Sequence, residues 1–160
     1  MKRSEFFSLI QPLIPKLYSM AHGLLPDDLQ AEQLVIDSIN GFLIKESSSL
    51  LRRELKATDK KEVQLLRRSY YKMILKNLSD LGSRRSFQLK EQMQLQMPES
   101  YEGFYALEPK IRLALKLRFE ANFSVDEIQD ILEIPRYEVI EKLHNGRYLM
   151  VSQLNEGVTV

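Results

Sequence analysis

Apolar residues recur at intervals of three and four along almost the whole chain, and no stretch sustains the strict alternation of a half-buried strand. The pattern predicts an all-α fold. Near the N-terminus Phe6, Leu9, Ile10, Leu13, Leu17 and Met20 share one helical face. Pro12 and Pro15 are expected to kink or restart that helix, because proline lacks the backbone donor, and it should end near Gly23. Pro26-Asp27-Asp28 carries a start signal. Leu29, Leu34, Val35, Ile39, Phe42 and Leu43 then line a second helix, expected to end near Ser47-Ser48-Ser49, which reads as a loop or helix start. Leu50 to Lys61 is charged and weakly periodic, compatible with a short helix. From Lys61 onward, Val63, Leu66, Tyr70, Met73, Ile74 and Leu78 mark a longer helix running into Gly82-Ser83.

Between Ser83 and Ser100 the chain turns Gln- and Met-rich and ends this stretch at Pro98, the composition of a linker. The pattern therefore predicts two small helical domains, residues 1–83 and 101–160, joined by residues 84–100. In the second, Leu107 to Ala121 reads as a buried helix opened by Glu108-Pro109, with Asn122 a left-handed terminal residue. Ser124 and Glu127 are spaced for a capping box, so a helix should start at Val125, with Ile128, Ile131 and Leu132 inward. Pro135 disfavours helix for Ile134 and forces a turn. The next helix should bury Val139, Leu143 and Met150 and expose Arg136, Tyr137, Glu138, Glu141, Lys142, Asn145 and Arg147. Short helix, tight turn, longer helix is the helix-turn-helix pattern, which an ordinary helical hairpin shares.

The 160 residues include no Cys, which removes disulfides, thiolate metal sites and a Cys nucleophile. No P-loop or GxGxxG run is present, and no nucleophile–base pair or metal-ligand spacing points to an enzyme. The basic N-terminal start is followed by an apolar stretch broken by Ser8, Gln11, Pro12 and Pro15, so neither a signal peptide nor a membrane span is expected. A cytoplasmic location fits. The net charge of +1 hides an asymmetry: residues 1–98 hold 16 basic and 11 acidic side chains, and residues 99–160 hold 7 and 11. From Arg67 to Lys90, seven cations are opposed only by Asp80, so a polyanion would meet that stretch first.

The run LEPKIRLALKLRFEANFSVDEIQDILEIPRYEVIEKLHNGR resembles the promoter minus-35 domain of bacterial RNA polymerase sigma factors of the extracytoplasmic-function type, without gaps. Leu107, Pro109, Arg112, Leu117-Arg118-Phe119, Ser124, Glu127-Ile128, Leu132, Pro135, Val139, Leu143-His144 and Arg147 carry the match. Asp28, Ala31-Glu32, Leu34-Val35 and Asp37 resemble the helix that docks on the polymerase clamp, and RRSYYKMILKNLSDLGSRR resembles the minus-10 segment. The resemblance implies core RNA polymerase, promoter DNA and an anti-sigma factor as partners, with no cofactor and no catalysis by the chain itself. It implies polymerase contacts at Asp28, Glu32, Val35 and Asp37. Minus-10 contacts would fall at Arg67, Arg68, Tyr70, Tyr71, Lys72, Lys76, Asn77, Arg84 and Arg85, and minus-35 contacts at Arg136, Tyr137, Lys142, Asn145 and Arg147. Physics points the same way for the minus-10 helix, since opened strands are held by cations along the backbone and aromatic faces under the bases.

The chain departs from the family at the turn, where Glu133 replaces a usual Gly, and on the reading helix, where Glu138, Ile140 and Glu141 replace Thr, Ser or basic residues. Gln33 and Ile36 likewise replace an acid and a polar residue. A second reading therefore stands beside the first: a sigma-like interaction protein that binds an anti-sigma factor without reading DNA, as the acidic C-terminal half would suit.

Overall fold

The computed structural model describes residues 1–52, 59–89 and 102–158, and among them every regular element is a helix. The chain opens with α1 (Arg3–Ile10), a 3-10 turn (Gln11–Leu13) and α2 (Ile14–Leu24). Pro12 cannot continue the ladder of α1, and Pro15 sits in the first turn of α2, where its missing donor costs nothing. Next comes α3 (Asp28–Arg52), whose backbone stays helical through the serine cluster near which it was expected to end, a cluster that reads as a loop or helix start. A serine is a weak helix former rather than a breaker, and three in a row did not stop propagation. Residues 53–58, in the middle of the weakly periodic stretch Leu50 to Lys61, lie outside the described residues.

Asp59 starts α4 (Lys60–Gln88) by accepting from the backbone N–H of Lys61 and Glu62, at 3.0 and 3.4 Å. The helix passes through Gly82-Ser83, so residues 84–88 are helix rather than the start of a linker. Gly82 is tolerated because it faces inward: a Cβ there would lie 2.5 Å from Leu24 Cδ1 and 2.9 Å from Leu34 Cδ2. Residues 90–100 of the expected linker, and residue 101 after it, lie outside the described residues. The second half comprises α5 (Glu102–Tyr105), α6 (Pro109–Phe119), α7 (Val125–Leu132) and α8 (Arg136–Val158).

Both ends of α7 follow from local chemistry. At its start the Glu127 N–H donates to Ser124 Oγ at 3.1 Å, and the Ser124 N–H donates to Glu127 Oε1 at 3.2 Å. At its end Glu133 takes a left-handed conformation, φ 55° and ψ 43°. Among the described residues Asn122 is the other positive-φ residue without a glycine's freedom, at φ 57°. Glu133→Gly should therefore stabilise the chain by about 1 kcal/mol, read as a shifted midpoint in denaturant unfolding. A neutral or negative shift would mean that the Glu133 backbone is held without strain.

One contiguous apolar cluster runs through both halves. In the N-terminal half Phe6 stacks on Phe42, ring centroids 5.7 Å apart, and Tyr70 closes on Phe42 at 5.1 Å. Leu113, Ala114 and Leu117 of α6, with Ile128, Ile131 and Leu132 of α7, continue the same cluster, and Val139 and Leu143 bring α8 onto it. At Gly146 a Cβ would stand 2.8 Å from Ile111 and 2.9 Å from Leu115, so α8 lies tight on α6. Leu29, expected inside by spacing, stands 76% exposed, and Phe119, in the helix expected to be buried, stands 56% exposed.

Candidate nucleic-acid interface

Residues four apart on a helix share a face, and α4 uses this to set Arg68, Lys72, Lys76, Asp80 and Arg84 in one row. The first two cations of the row converge on one carboxylate. Glu127 of α7 lies 2.8 Å from Arg68 Nη2 and 2.7 Å from Lys72 Nζ. Burial by itself would raise the Glu127 carboxyl, but hydrogen bonds from Lys72, the Ser124 N–H and Arg68, with the Arg68 charge, outweigh it and hold the group at about 2. Arg68 also lies over the Phe123 ring, 4.8 Å from its centroid, and Phe123 in turn meets Tyr71 at 5.5 Å. The capping residue of α7 is thus also the anion on the cationic row of α4.

The remaining expected minus-10 residues are distributed differently. Tyr70 and Tyr71 are 4% and 5% exposed, so the stacking platform assigned to them is corrected: Tyr70 fills the aromatic core and Tyr71 fills the seam between halves. They sit two and three positions from Arg68, on the inward side of α4. The Tyr71 hydroxyl is buried without a hydrogen-bond partner among the described residues, and burial pushes it up to about 12, with Glu120 adding to the shift and Arg68 opposing it. Arg67 donates to the Leu9 carbonyl at 2.7 Å, tying α4 to α1. Asn77 donates to the Ser38 carbonyl at 3.3 Å and accepts from Lys45 at 3.2 Å. Lys76 is half-buried, and Arg84 stands exposed, bonded to the Asp80 carbonyl one turn earlier. Arg85 pairs with Asp37 at 2.6 Å.

Sequence spacing missed Phe87, which at 81% exposure is the outward aromatic of α4, eleven residues beyond Lys76 on the same side of the helix. Its signal was an aromatic just past two arginines, discounted because the stretch read as a linker. Arg112 belongs to the family-like run LEPKIRLALKLRF. It is 3% exposed, and its guanidinium donates to the carbonyls of Gly23, Leu24, Tyr105 and Leu107 and to Ser86 Oγ, all between 2.9 and 3.1 Å. Burial pulls it down to about 10, a fall that Tyr105 opposes, so it is still charged at neutral pH. One side chain of α6 thereby closes the end of α2, the end of α4 and the α5–α6 turn.

Of the expected polymerase contacts, Val35 is corrected: it is 5% exposed and points into the core. Glu32 is exposed, and Asp28 is exposed and accepts from the Tyr18 hydroxyl at 2.9 Å. Burial opposes ionisation of Asp37, but hydrogen bonds from Arg85 and Gln33 prevail and hold its carboxyl below its ordinary value. Leu29, Ile36 and Ile44 stand exposed on the same helix. His22 has neighbours the sequence did not indicate. Its Nε2 lies 3.5 Å from Asp28, and its Nδ1 lies 3.5 Å from the Tyr105 hydroxyl, which donates to the His22 carbonyl at 3.0 Å.

On α8 the cations expected to reach the minus-35 element are engaged with the protein itself. Arg136 pairs with Asp126, Lys142 Nζ lies 3.4 Å from Glu108, and Arg147 lies over Phe119 at 5.4 Å from the ring centroid. Tyr137 and Asn145 are exposed, as is Glu141. The structure brings the α4 row and α7 together, and it sets the outward face of α8 apart from that contact. Among the described residues no acidic and His cluster could hold a metal ion, and no helix is long and apolar enough to cross a membrane. The chain matches no known family model and no curated protein.

Proposed function

We propose that this chain is a sigma-type initiation factor whose α4 holds the opened minus-10 strand, whose α3 face meets core RNA polymerase, and whose α7–α8 pair is a helix-turn-helix directed at the minus-35 element. In this reading the two halves are domains, and the Gln- and Met-rich stretch is the linker that lets them separate. The observation that carries it is the row of cations at four-residue spacing on α4, two of which already hold an anion in Glu127. A phosphate is chemically the natural replacement for that carboxylate. Arg84 and Phe87 supply an accessible cation and an accessible ring at the far end of the row, the pairing that single strands favour. With α7 seated on Arg68 and Lys72, the interface is half covered, so DNA competes with the C-terminal half for the same cations.

A specific observation favours a second reading, a sigma-like protein that binds an anti-sigma factor and leaves DNA alone. The cations of α8 lie against Asp126, Glu108 and Phe119 rather than standing free for DNA, while Glu141 is exposed. Run-off transcription by core polymerase with and without the chain separates the two: stimulation supports the factor, and inertness beside tight binding to an anti-sigma partner supports the mimic. Lys72→Ala with Lys76→Ala should weaken promoter binding by the holoenzyme and flatten its salt dependence by up to about two units of slope. An unchanged slope would remove the DNA role from α4.

A further inference from the structure

The outward side of α8 carries an apolar seam that the other described residues leave open. Tyr137, Ile140, Tyr148 and Val151 are 68%, 49%, 67% and 56% exposed, and His144 is exposed between them. The inward side is separate: Val139, Leu143 and Gly146 make the contact with the body of the protein. Tyr137, His144 and Val151 repeat at seven residues, and Ile140 falls three after the first, the spacing by which two helices pack side by side. The sequence keeps apolar residues in the same register at Leu154 and Val158, where α8 ends. An exposed apolar face of this kind marks an interaction site.

We propose that this seam pairs with the same seam of a second copy of the chain, the two α8 helices lying parallel about a two-fold axis. The charges beside the seam identify both occupant and direction. Arg136 stands on one edge and Glu141, five residues later, on the other. In a parallel pair each Arg136 meets Glu141 of the other copy, whereas an antiparallel pair sets each edge against its own kind. Arg136 gives up only an exposed pairing with Asp126 to do so, a pairing of little worth in water. The seam's other cation, Arg147, is drawn aside over Phe119, which keeps like charges off the axis. His144, a polar residue in mid-seam, fixes the register. Because Arg136, Tyr137 and Arg147 are also expected DNA contacts, pairing and minus-35 binding would exclude each other. The pairing itself does not depend on the proposed function.

Sedimentation velocity of the full chain over a concentration series tests this without DNA. The mass should double as concentration rises. Ile140→Glu, at an exposed position, should remain monomeric, with an unfolding midpoint equal to that of the native chain at concentrations where both are monomeric. Arg136→Glu and Glu141→Arg should each weaken association at least tenfold, and the two together should restore it. A chain that stays monomeric into the millimolar range, an Ile140→Glu variant that still pairs, or a double charge reversal that fails to restore pairing would each overturn the proposal.

Discussion

Arg112→Met should cost about 3–5 kcal/mol of folding stability, the largest loss expected from any single change away from the apolar core. The methionine fills similar volume but leaves the carbonyls of Gly23, Leu24, Tyr105 and Leu107 and the Ser86 hydroxyl without the donor they now share. All five partners are neutral acceptors, yet the charge is well placed, because Gly23 and Leu24 end α2, where the helix dipole is negative. Arg112→Lys should recover only part of the loss, since an ammonium cannot reach partners spread across a planar fork. Denaturant unfolding of both variants measures this. A loss below about 1 kcal/mol for the methionine would mean that water satisfies the carbonyls and that Arg112 does not hold the halves together.

The second large effect concerns exposure of the cationic row. Glu127→Gln preserves the capping box, because glutamine can still accept at that position, but it removes the negative charge shared by Arg68 and Lys72. Under the proposed function the variant should bind single-stranded DNA more tightly than the native chain. Its affinity should also fall more steeply with salt, by up to about two units of slope for two released cations. Acid should act in the same direction. The folded-state carboxyl is held at about 2, below its unfolded value, so its contribution is complete above the ordinary carboxylate range and is lost as pH falls toward 2. Tyr71→Phe makes the opposing test: it removes a buried hydroxyl without a partner among the described residues and should tighten the closed arrangement. Equal DNA affinity and equal salt slope for the native chain and Glu127→Gln would show that α7 does not shield α4.

Much of the local structure was legible in the sequence, because its causes are local. The proline restart between α1 and α2, the Ser124–Glu127 box and the left-handed Asn122 each depend on residues within a turn of one another. The serine cluster misled because a run of weak helix formers resembles a loop, although α3 had enough helix on its N-terminal side to carry through it. Among the site residues, Tyr70, Tyr71 and Val35 were assigned to surfaces by analogy with a pattern, and burial overrode the pattern. A helix face is defined only by what packs against it. Here α1 and α3 claim Tyr70, and Phe123 claims Tyr71.

The sequence by itself determined that the chain is helical, where most of its helices begin, and that its positive charge gathers on one of them. Periodicity, caps and charge are short-range properties, and each can be read along the chain. Only the tertiary structure decided which of those cations face a carboxylate and that an arginine of one half closes the helix end of the other. It likewise decided that the aromatic left outward on α4 is Phe87 rather than either tyrosine. Those outcomes join residues 59, 89 and 52 positions apart, as Arg68 with Glu127, Arg112 with Gly23 and Tyr71 with Phe123. Such pairings follow from how whole helices stack, which no local pattern encodes.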